Sequence, residues 1–158
     1  MTVHEGGCLC GGVRYAATGQ AVRVTHCYCR FCQQATGSTH MFEPVWPADR
    51  FSLTRGVPRT YVTRSEGSGK KVSVHFCEEC GTKLYLSFER FPDAIGIYGG
   101  TLDEAAAAIE GADQASIFLD EAPKGCVIPA GMKAWPRHKI TNDGEPIAPT
   151  VSEQPRVI

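Results

Sequence analysis

Short segments with alternating apolar and polar side chains dominate the first two-thirds of the chain. Residues 12–18 and 21–26 alternate roughly at a period of two, and the turn Thr18-Gly19-Gln20 separates them. Five further segments predict strands: His40 to Val45, Thr60 to Arg64, Val72 to Phe76, Leu84 to Phe88 and Ala94 to Tyr98. Because glycine- and proline-containing turns join these short strands, the pattern predicts a mainly β protein of several sheets folded on one another.

Helical patterns are few and short. Residues 101–104 fit a capping box, so a helix is expected from Asp103 to Glu110, ending at Gly111. A second helical turn is expected after Cys29, through Gln34. Residues 141–158 are polar and proline-rich without a clear period, which indicates a tail or an extended strap behind one domain of residues 1–140.

Charge and length narrow the function classes. The chain has 158 residues, with 16 Lys plus Arg against 17 Asp plus Glu, so its net charge of −1 favours neither nucleic acid nor an anionic membrane as a partner. No apolar run reaches the length of a membrane span, and the first residues do not resemble a signal peptide. We therefore expect a cytoplasmic protein, in which eight cysteines indicate metal binding. Nothing in the sequence indicates an oligomeric state.

Seven of the eight cysteines form three tight groups. Cys77 and Cys80 have the spacing of a zinc knuckle, and Cys8 with Cys10 is the natural second pair. Four thiolates close the coordination sphere of zinc, which suits a structural site. The third group, Cys27, Cys29 and Cys32, supplies three ligands and leaves one position open, as in catalytic sites.

The neighbours of the third group allow several roles. His26 is a candidate fourth ligand, a hydrogen-bond donor to a ligand, a proton carrier or a structural residue. Arg30 is a candidate for binding a substrate carboxylate, and equally a solvated side chain. Two other cysteine arrangements stay open. The cysteines could form disulfides, or one zinc ion could draw its four ligands from among Cys27, Cys29, Cys32, Cys77 and Cys80, with the remaining cysteines free. Cys126 stands apart and is interpreted as a small buried residue. His4, His40, His75 and His138 are interpreted as ordinary histidines.

Three ordered cysteine segments, at residues 6–15, 26–32 and 76–82, together with residues 99–103, resemble the glutathione-dependent formaldehyde-activating enzyme family, also called the centromere-protein-V-like family. The resemblance implies a β-tent fold of several curved antiparallel sheets with one or two short helices. It also implies a structural zinc on Cys8, Cys10, Cys77 and Cys80 and a catalytic-type zinc on Cys27, Cys29 and Cys32.

The activity implied by the resemblance is carbon–sulfur lyase chemistry, in which glutathione and formaldehyde are joined to S-hydroxymethylglutathione or released from it. In this hypothesis His26 moves a proton, and Arg30, Arg64 and Lys70 bind substrate carboxylates. Two other hypotheses remain: a non-enzymatic zinc module that binds a partner protein, and a redox protein that uses the thiols of the third group.

Overall fold

Short strands make up most of the regular structure of the computed structural model, which describes residues 1–158. The strands are β1 (Val3–Gly7), β2 (Arg14–Thr18), β3 (Arg23–Cys27), β4 (Met41–Pro47), β5 (Phe51–Arg55), β6 (Arg59–Arg64), β7 (Lys71–Phe76), β8 (Lys83–Phe88), β9 (Ala94–Ile97), β10 (Gln114–Ile117), β11 (Val127–Ile128), β12 (Lys133–Ala134) and β13 (Arg156–Val157). The α-helices are α1 (Arg30–Thr36) and α2 (Ala105–Ala108), and single 3₁₀ turns form at Ala48–Arg50, Gly99–Thr101 and Leu119–Glu121. The longest helix, α1, has seven residues, so none of the helices could span a membrane.

The chain divides into two compact units. The first unit contains residues 1–24 and 43–112, and the second contains residues 25–42 and 113–158. Each cysteine cluster described below lies within one unit, so the two clusters can be described separately.

Two antiparallel sheets form the first unit. One has the strand order β1-β2-β5, and in the other β4, β9, β8, β7 and β6 follow one another. Every second residue of β2 is buried, including Tyr15 and Ala17, as expected for a strand with one face in the core. Trp46, Leu84 and Ile97 are fully buried in the same core. This core supports the loops that carry Cys8 and Cys77.

The second unit is built on β3, β10 and β12, in the order β12-β10-β3. The pairing of β10 with β12 is parallel, whereas the other pairs with a described register are antiparallel. A small core of Tyr28, Leu119, Ile128 and Ala134 lies beside this sheet. Residues near the carboxyl end join the unit, because β13 pairs with β11 and the backbone of Thr150 bonds with that of Ala134.

The predicted class is confirmed: the protein is mainly β, with several sheets and few short helices. The predicted strands between residues 40 and 98 are observed within two residues of their expected ends. The helix expected from Asp103 to Glu110 is shorter, at Ala105–Ala108, and the helical turn after Cys29 is the longer α1. The strands β1, β5 and β10 to β13 were not predicted.

Candidate metal centres

Four cysteines from two distant loops meet in the first unit. Cys8 and Cys10 lie between β1 and β2, and Cys77 and Cys80 lie between β7 and β8. Their four sulfur atoms all lie within 4.8 Å of one another. The Sγ atoms of Cys8 and Cys10 are 3.5 Å apart, and those of Cys10 and Cys77 are 3.7 Å apart.

The two loops have the same local structure. The N–H of Gly11 donates to the carbonyl of Cys8 at 3.0 Å, and the N–H of Gly81 donates to the carbonyl of Cys77 at 2.9 Å. Gly11 and Gly81 adopt φ angles of 70° and 71°, in the left-handed region that side chains disfavour. Each glycine therefore lets its loop fold back so that both sulfurs point to one centre.

The four-cysteine cluster fits a tetrahedral metal ion. Sulfur atoms about 2.3 Å from a zinc ion lie about 3.8 Å apart at the corners of a tetrahedron. The two sulfur distances given above are close to this value, whereas a disulfide needs about 2.05 Å. The eight cysteines are all outside disulfide bonds. The cluster could therefore hold a metal ion, and the disulfide alternative does not apply to this structure.

The thiols of this cluster cannot all ionise easily by themselves. Hydrogen bonds from the side chain and the backbone of Thr82 lower the pKa of Cys80 to about 5. At Cys10 a hydrogen bond from the backbone of Gly12 lowers the pKa, but interactions with the other three thiols outweigh it and raise the pKa to about 12. A bound cation would remove this conflict, because it stabilises every thiolate around it.

The second cluster contains three cysteines at the junction of β3 and α1. Cys27 is the last residue of β3, Cys29 precedes α1 as its N-cap, and Cys32 lies in the first turn of α1. The three sulfur atoms lie within 4.8 Å of one another. Cys27 and Cys32 are buried and Cys29 is half-buried. The backbone N–H of Cys32 donates to the sulfur of Cys29 at 3.4 Å, as in a capped helix start.

The second cluster has the same electrostatic conflict as the first. Hydrogen bonds from the thiols of Cys27 and Cys32, together with backbone N–H groups, lower the pKa of Cys29 to about 3. The pKa of Cys32 is raised by its interactions with the thiols of Cys27 and Cys29 and by burial. Three close sulfurs could hold a metal ion with a fourth position left for another ligand, so the donor set fits the open type of site.

A polar network surrounds the start of α1. The side-chain amide of Gln33 donates to the carbonyl of Tyr28 at 2.6 Å and to that of Glu121 at 2.8 Å. The Gln33 amide oxygen accepts a hydrogen bond from Arg30 at 2.9 Å. The Glu121 carboxylate accepts the backbone N–H of Arg30 at 2.5 Å. The network links the cysteine loop to the turn Leu119–Glu121.

His26 lies next to Cys27 but has other neighbours. Its Nε2 is 3.1 Å from the amide oxygen of Gln114, and its Nδ1 is 3.5 Å from Nε2 of His40. The ring of His40 also stacks on that of Tyr28, with centroids 4.7 Å apart. Successive residues of a strand point to opposite faces of the sheet, so His26 and Cys27 leave β3 in opposite directions.

The remaining predicted site residues lie in different places. Arg30 is exposed at the start of α1 in the second unit. Arg64 and Lys70 are exposed at the connection between β6 and β7 in the first unit, where Arg64 donates to the carbonyl of Gly69 at 2.9 Å. Lys70 is 3.8 Å from the carboxylate of Glu89. Cys126 is half-buried and packs against the small core of the second unit, outside both clusters.

Sequence reasoning missed Gln33 and Glu121. Gln33 is one position after Cys32 and carries no motif, since polar residues are common on short exposed helices. Glu121 is 91 positions from Arg30, so no local pattern connects the two residues. Only the fold reveals that both contact the cysteine loop.

The fold and the two clusters define a mainly β protein with two candidate metal centres, one of four cysteines and one of three. The chain belongs to the family described as glutathione-dependent formaldehyde-activating enzyme, whose sequence profile matches residues 3–121. This finding confirms the family resemblance that the cysteine segments indicate.

Individual relatives are distant. A protein of Halomonas elongata named "putative glutathione-dependent formaldehyde-activating enzyme" is 26% identical over 103 residues, which is 63% of this chain and 65% of that protein. The match thus spans less than two-thirds of the relative's length. A crystal structure of a Rhodobacter sphaeroides protein has 18% identity and a TM-score of 0.49, over 63% of this chain and 87% of that chain.

Proposed function

We propose that the protein is a zinc-dependent carbon–sulfur lyase that forms or cleaves S-hydroxymethylglutathione. The observation that carries the proposal is the three-sulfur cluster of Cys27, Cys29 and Cys32, which leaves a fourth coordination position for a substrate atom. Family membership supports glutathione and formaldehyde as the substrate class. The name of the Halomonas elongata relative points to the same pair of substrates.

The reaction is an addition without net oxidation. The sulfur of glutathione forms a bond to the carbonyl carbon of formaldehyde, and the carbon–oxygen π bond becomes a hydroxyl group. The thiol loses one proton and the oxygen gains one. Cleavage reverses each change. A zinc ion in the three-cysteine site would supply an open position that favours an ionised thiol or polarises a carbonyl oxygen.

The chain's own residues are proposed to hold and orient this chemistry. Cys27, Cys29 and Cys32 bind the zinc ion. The exposed Arg30 uses the guanidinium N–H groups that do not contact Gln33 to bind a substrate carboxylate. Arg64 and Lys70 are proposed as further carboxylate contacts; both are exposed cations.

The sequence allows several roles for His26, and we propose one of them. Both of its ring nitrogens already face other side chains, and its side chain leaves β3 on the face opposite to Cys27. These facts favour a supporting role over that of a zinc ligand or a direct proton carrier. Through Gln114, His26 would link β3 to the neighbouring β10 and fix the strand end that carries Cys27.

The other cluster is proposed as a closed structural zinc site, formed by Cys8, Cys10, Cys77 and Cys80. Four thiolates leave no position for substrate. The ion would link two loops that come from different sheets of the first unit. We also propose a cytoplasmic location, where reduced thiols persist, because the cysteines are outside disulfide bonds.

The domain limits are likewise a proposal: residues 1–140 form the family domain and residues 141–158 form a strap. The hydrogen bonds of Thr150 with Ala134, at 2.8 and 2.9 Å, support a strap that follows the second unit. The pairing of β13 with β11 continues the same course.

Exchange NMR at equilibrium tests the proposed activity. The protein should accelerate the exchange between free formaldehyde plus glutathione and their adduct, relative to a blank without protein. Cys29→Ser should abolish the acceleration, whereas Cys126→Ser, outside both clusters, should retain it. No acceleration with two zinc ions bound would contradict the lyase proposal and favour the partner-binding or redox hypothesis.

A further inference from the structure

The backbone of Tyr28, the residue between Cys27 and Cys29, forms hydrogen bonds through both its N–H and its carbonyl group. The N–H of Tyr28 donates to the carbonyl of Ile117 on β10 at 3.0 Å. Its carbonyl accepts the side-chain amide of Gln33 at 2.6 Å. Tyr28 itself is buried in the small core of the second unit. The backbone conformation at Tyr28 sets the direction of the Cys29 side chain relative to that of Cys27.

Gln33 uses both ends of its amide in this region. The nitrogen donates to the carbonyls of Tyr28 and Glu121, and the oxygen accepts from Arg30. The backbone N–H of Gln33 donates to the carbonyl of Cys29 at 3.0 Å, so the residue also belongs to the first turn of α1. One side chain thus connects the peptide before Cys29, the helix that carries Cys32, and a turn from a distant part of the chain.

Glu121 contacts the first residue of α1. Its carboxylate accepts the backbone N–H of Arg30, one of the groups at a helix start that has no partner within the helix. Glu121 belongs to the 3₁₀ turn Leu119–Glu121, which follows Phe118, the chain's non-glycine residue with a positive φ, 61°. The backbone at Phe118 turns the chain sharply after β10 and so brings Glu121 to α1.

We propose that Gln33, assisted by Glu121, is a positioning residue that fixes the geometry of the three-cysteine metal site. A four-cysteine site is held together by its ion and by two loops, whereas a site with three ligands from one short segment depends on what orients that segment. This inference rests on the proposed function only in that the three cysteines bind a metal ion. It assigns no contact between Gln33 and substrate.

The test compares neighbouring glutamines of α1. Gln33→Met keeps the length and helix preference of the side chain but removes its hydrogen bonds. Gln34→Met is the matched control, because Gln34 is exposed on the same helix. Zinc-loaded full-length protein is mixed with excess chelator, and the release of each of the two zinc ions is measured over time. The four-cysteine site serves as the internal reference for an intact fold.

Loss of positioning groups around a metal site typically weakens metal binding by about 10- to 100-fold. We expect Gln33→Met to release zinc from the three-cysteine site at least about tenfold faster, with an unchanged rate at the four-cysteine site. Gln34→Met should match the wild type at both sites. In cobalt-substituted protein, the d–d bands of the three-cysteine site should change in Gln33→Met and stay unchanged in Gln34→Met, since these bands report coordination geometry.

Glu121 provides a second variant in case Gln33→Met does not fold. Glu121→Ala should accelerate release from the three-cysteine site, and Glu121→Gln, which keeps an acceptor oxygen, should restore the slow rate. Equal release rates in wild type, Gln33→Met and Glu121→Ala, with two ions bound to each, would overturn this inference alone. One ion per wild-type chain would overturn the two-site proposal and this inference with it.

Discussion

Gly6 and Tyr15 stand directly opposite each other in the pairing of β1 with β2. The phenol of Tyr15 lies over Gly6 and shares a hydrogen bond of 2.7 Å with the hydroxyl of Thr101. A Cβ atom on Gly6 would overlap the Tyr15 phenol and lie 2.5 Å from the carbonyl oxygen of Thr101. The glycine is therefore required by space and not by backbone conformation, because its φ is not in the left-handed region.

Gly6→Ala should destabilise the first unit. Tyr15 is fully buried, so it cannot move away without disturbing the core. Overpacking of this kind costs about 1–3 kcal/mol. Gly100→Ala is the control, since a Cβ there meets no atom within 4 Å. Thermal melts of both variants should show a lower Tm for Gly6→Ala alone, and equal Tm values would contradict the packing argument.

The pH dependence of stability should contain a contribution from His40. Burial and the neighbouring His26 lower the pKa of His40 below its ordinary value. The unfolded chain then binds the proton more tightly than the folded chain, so the stabilising contribution is present above about pH 6.5 and is lost as the pH falls through the folded pKa.

His40→Gln should reduce this dependence. We expect the free energy of unfolding of the wild type to fall more steeply between pH 7 and pH 5 than that of the variant. Urea unfolding at several pH values, with zinc content checked at each, measures both slopes. Parallel curves for the two proteins would show that His40 does not contribute.

Local patterns predicted much of this protein, and long-range pairing explains the rest. Alternation located β6 to β9 because each of these strands pairs with a neighbour in sequence. It missed β10, which lies between β12 and β3 in the sheet. Neither an adjacent hairpin nor a short turn joins β10 to β3, so local alternation gives no sign of this pairing. The run of alanines predicted a longer helix, but α2 forms four residues only, because Ala108 alone in it is buried and little packing supports more turns.

The cysteine spacing was more informative than the strand pattern. The grouping of Cys8 with Cys77 follows from the coordination number of zinc, because a tetrahedral site needs four sulfur ligands and each short cysteine pair supplies two. The contacts around the other cluster have no such rule. Gln33 binds carbonyl groups, which every residue possesses, so its partners could be identified only from the folded chain.

The metal content should be close to two zinc ions per fully loaded chain. The reason is the separation of seven cysteines into clusters of four and three, in different units. The three-cysteine site should lose its ion first to a chelator, because it has one protein ligand fewer. Elemental analysis with a chelator time course checks both points. A single tightly held ion, with Cys27, Cys29 and Cys32 reacting as thiols, would contradict the two-site assignment.

The two clusters should differ most clearly in what their loss does to the fold. Cys10 and Cys77 are 67 positions apart, yet their sulfurs are 3.7 Å apart, so an ion shared by them closes a long loop. Structural zinc contributes on the order of 10–16 kcal/mol in small peptides, and the net stability of a domain is only about 5–15 kcal/mol. Cys77→Ser should therefore unfold or aggregate. Cys29→Ser should remain folded, bind one zinc ion and lack activity, because its cluster comes from one short segment and closes no long loop. Circular dichroism melts with zinc counts on both variants test this contrast. An unfolded Cys29→Ser beside an intact Cys77→Ser would reverse the structural and catalytic assignments.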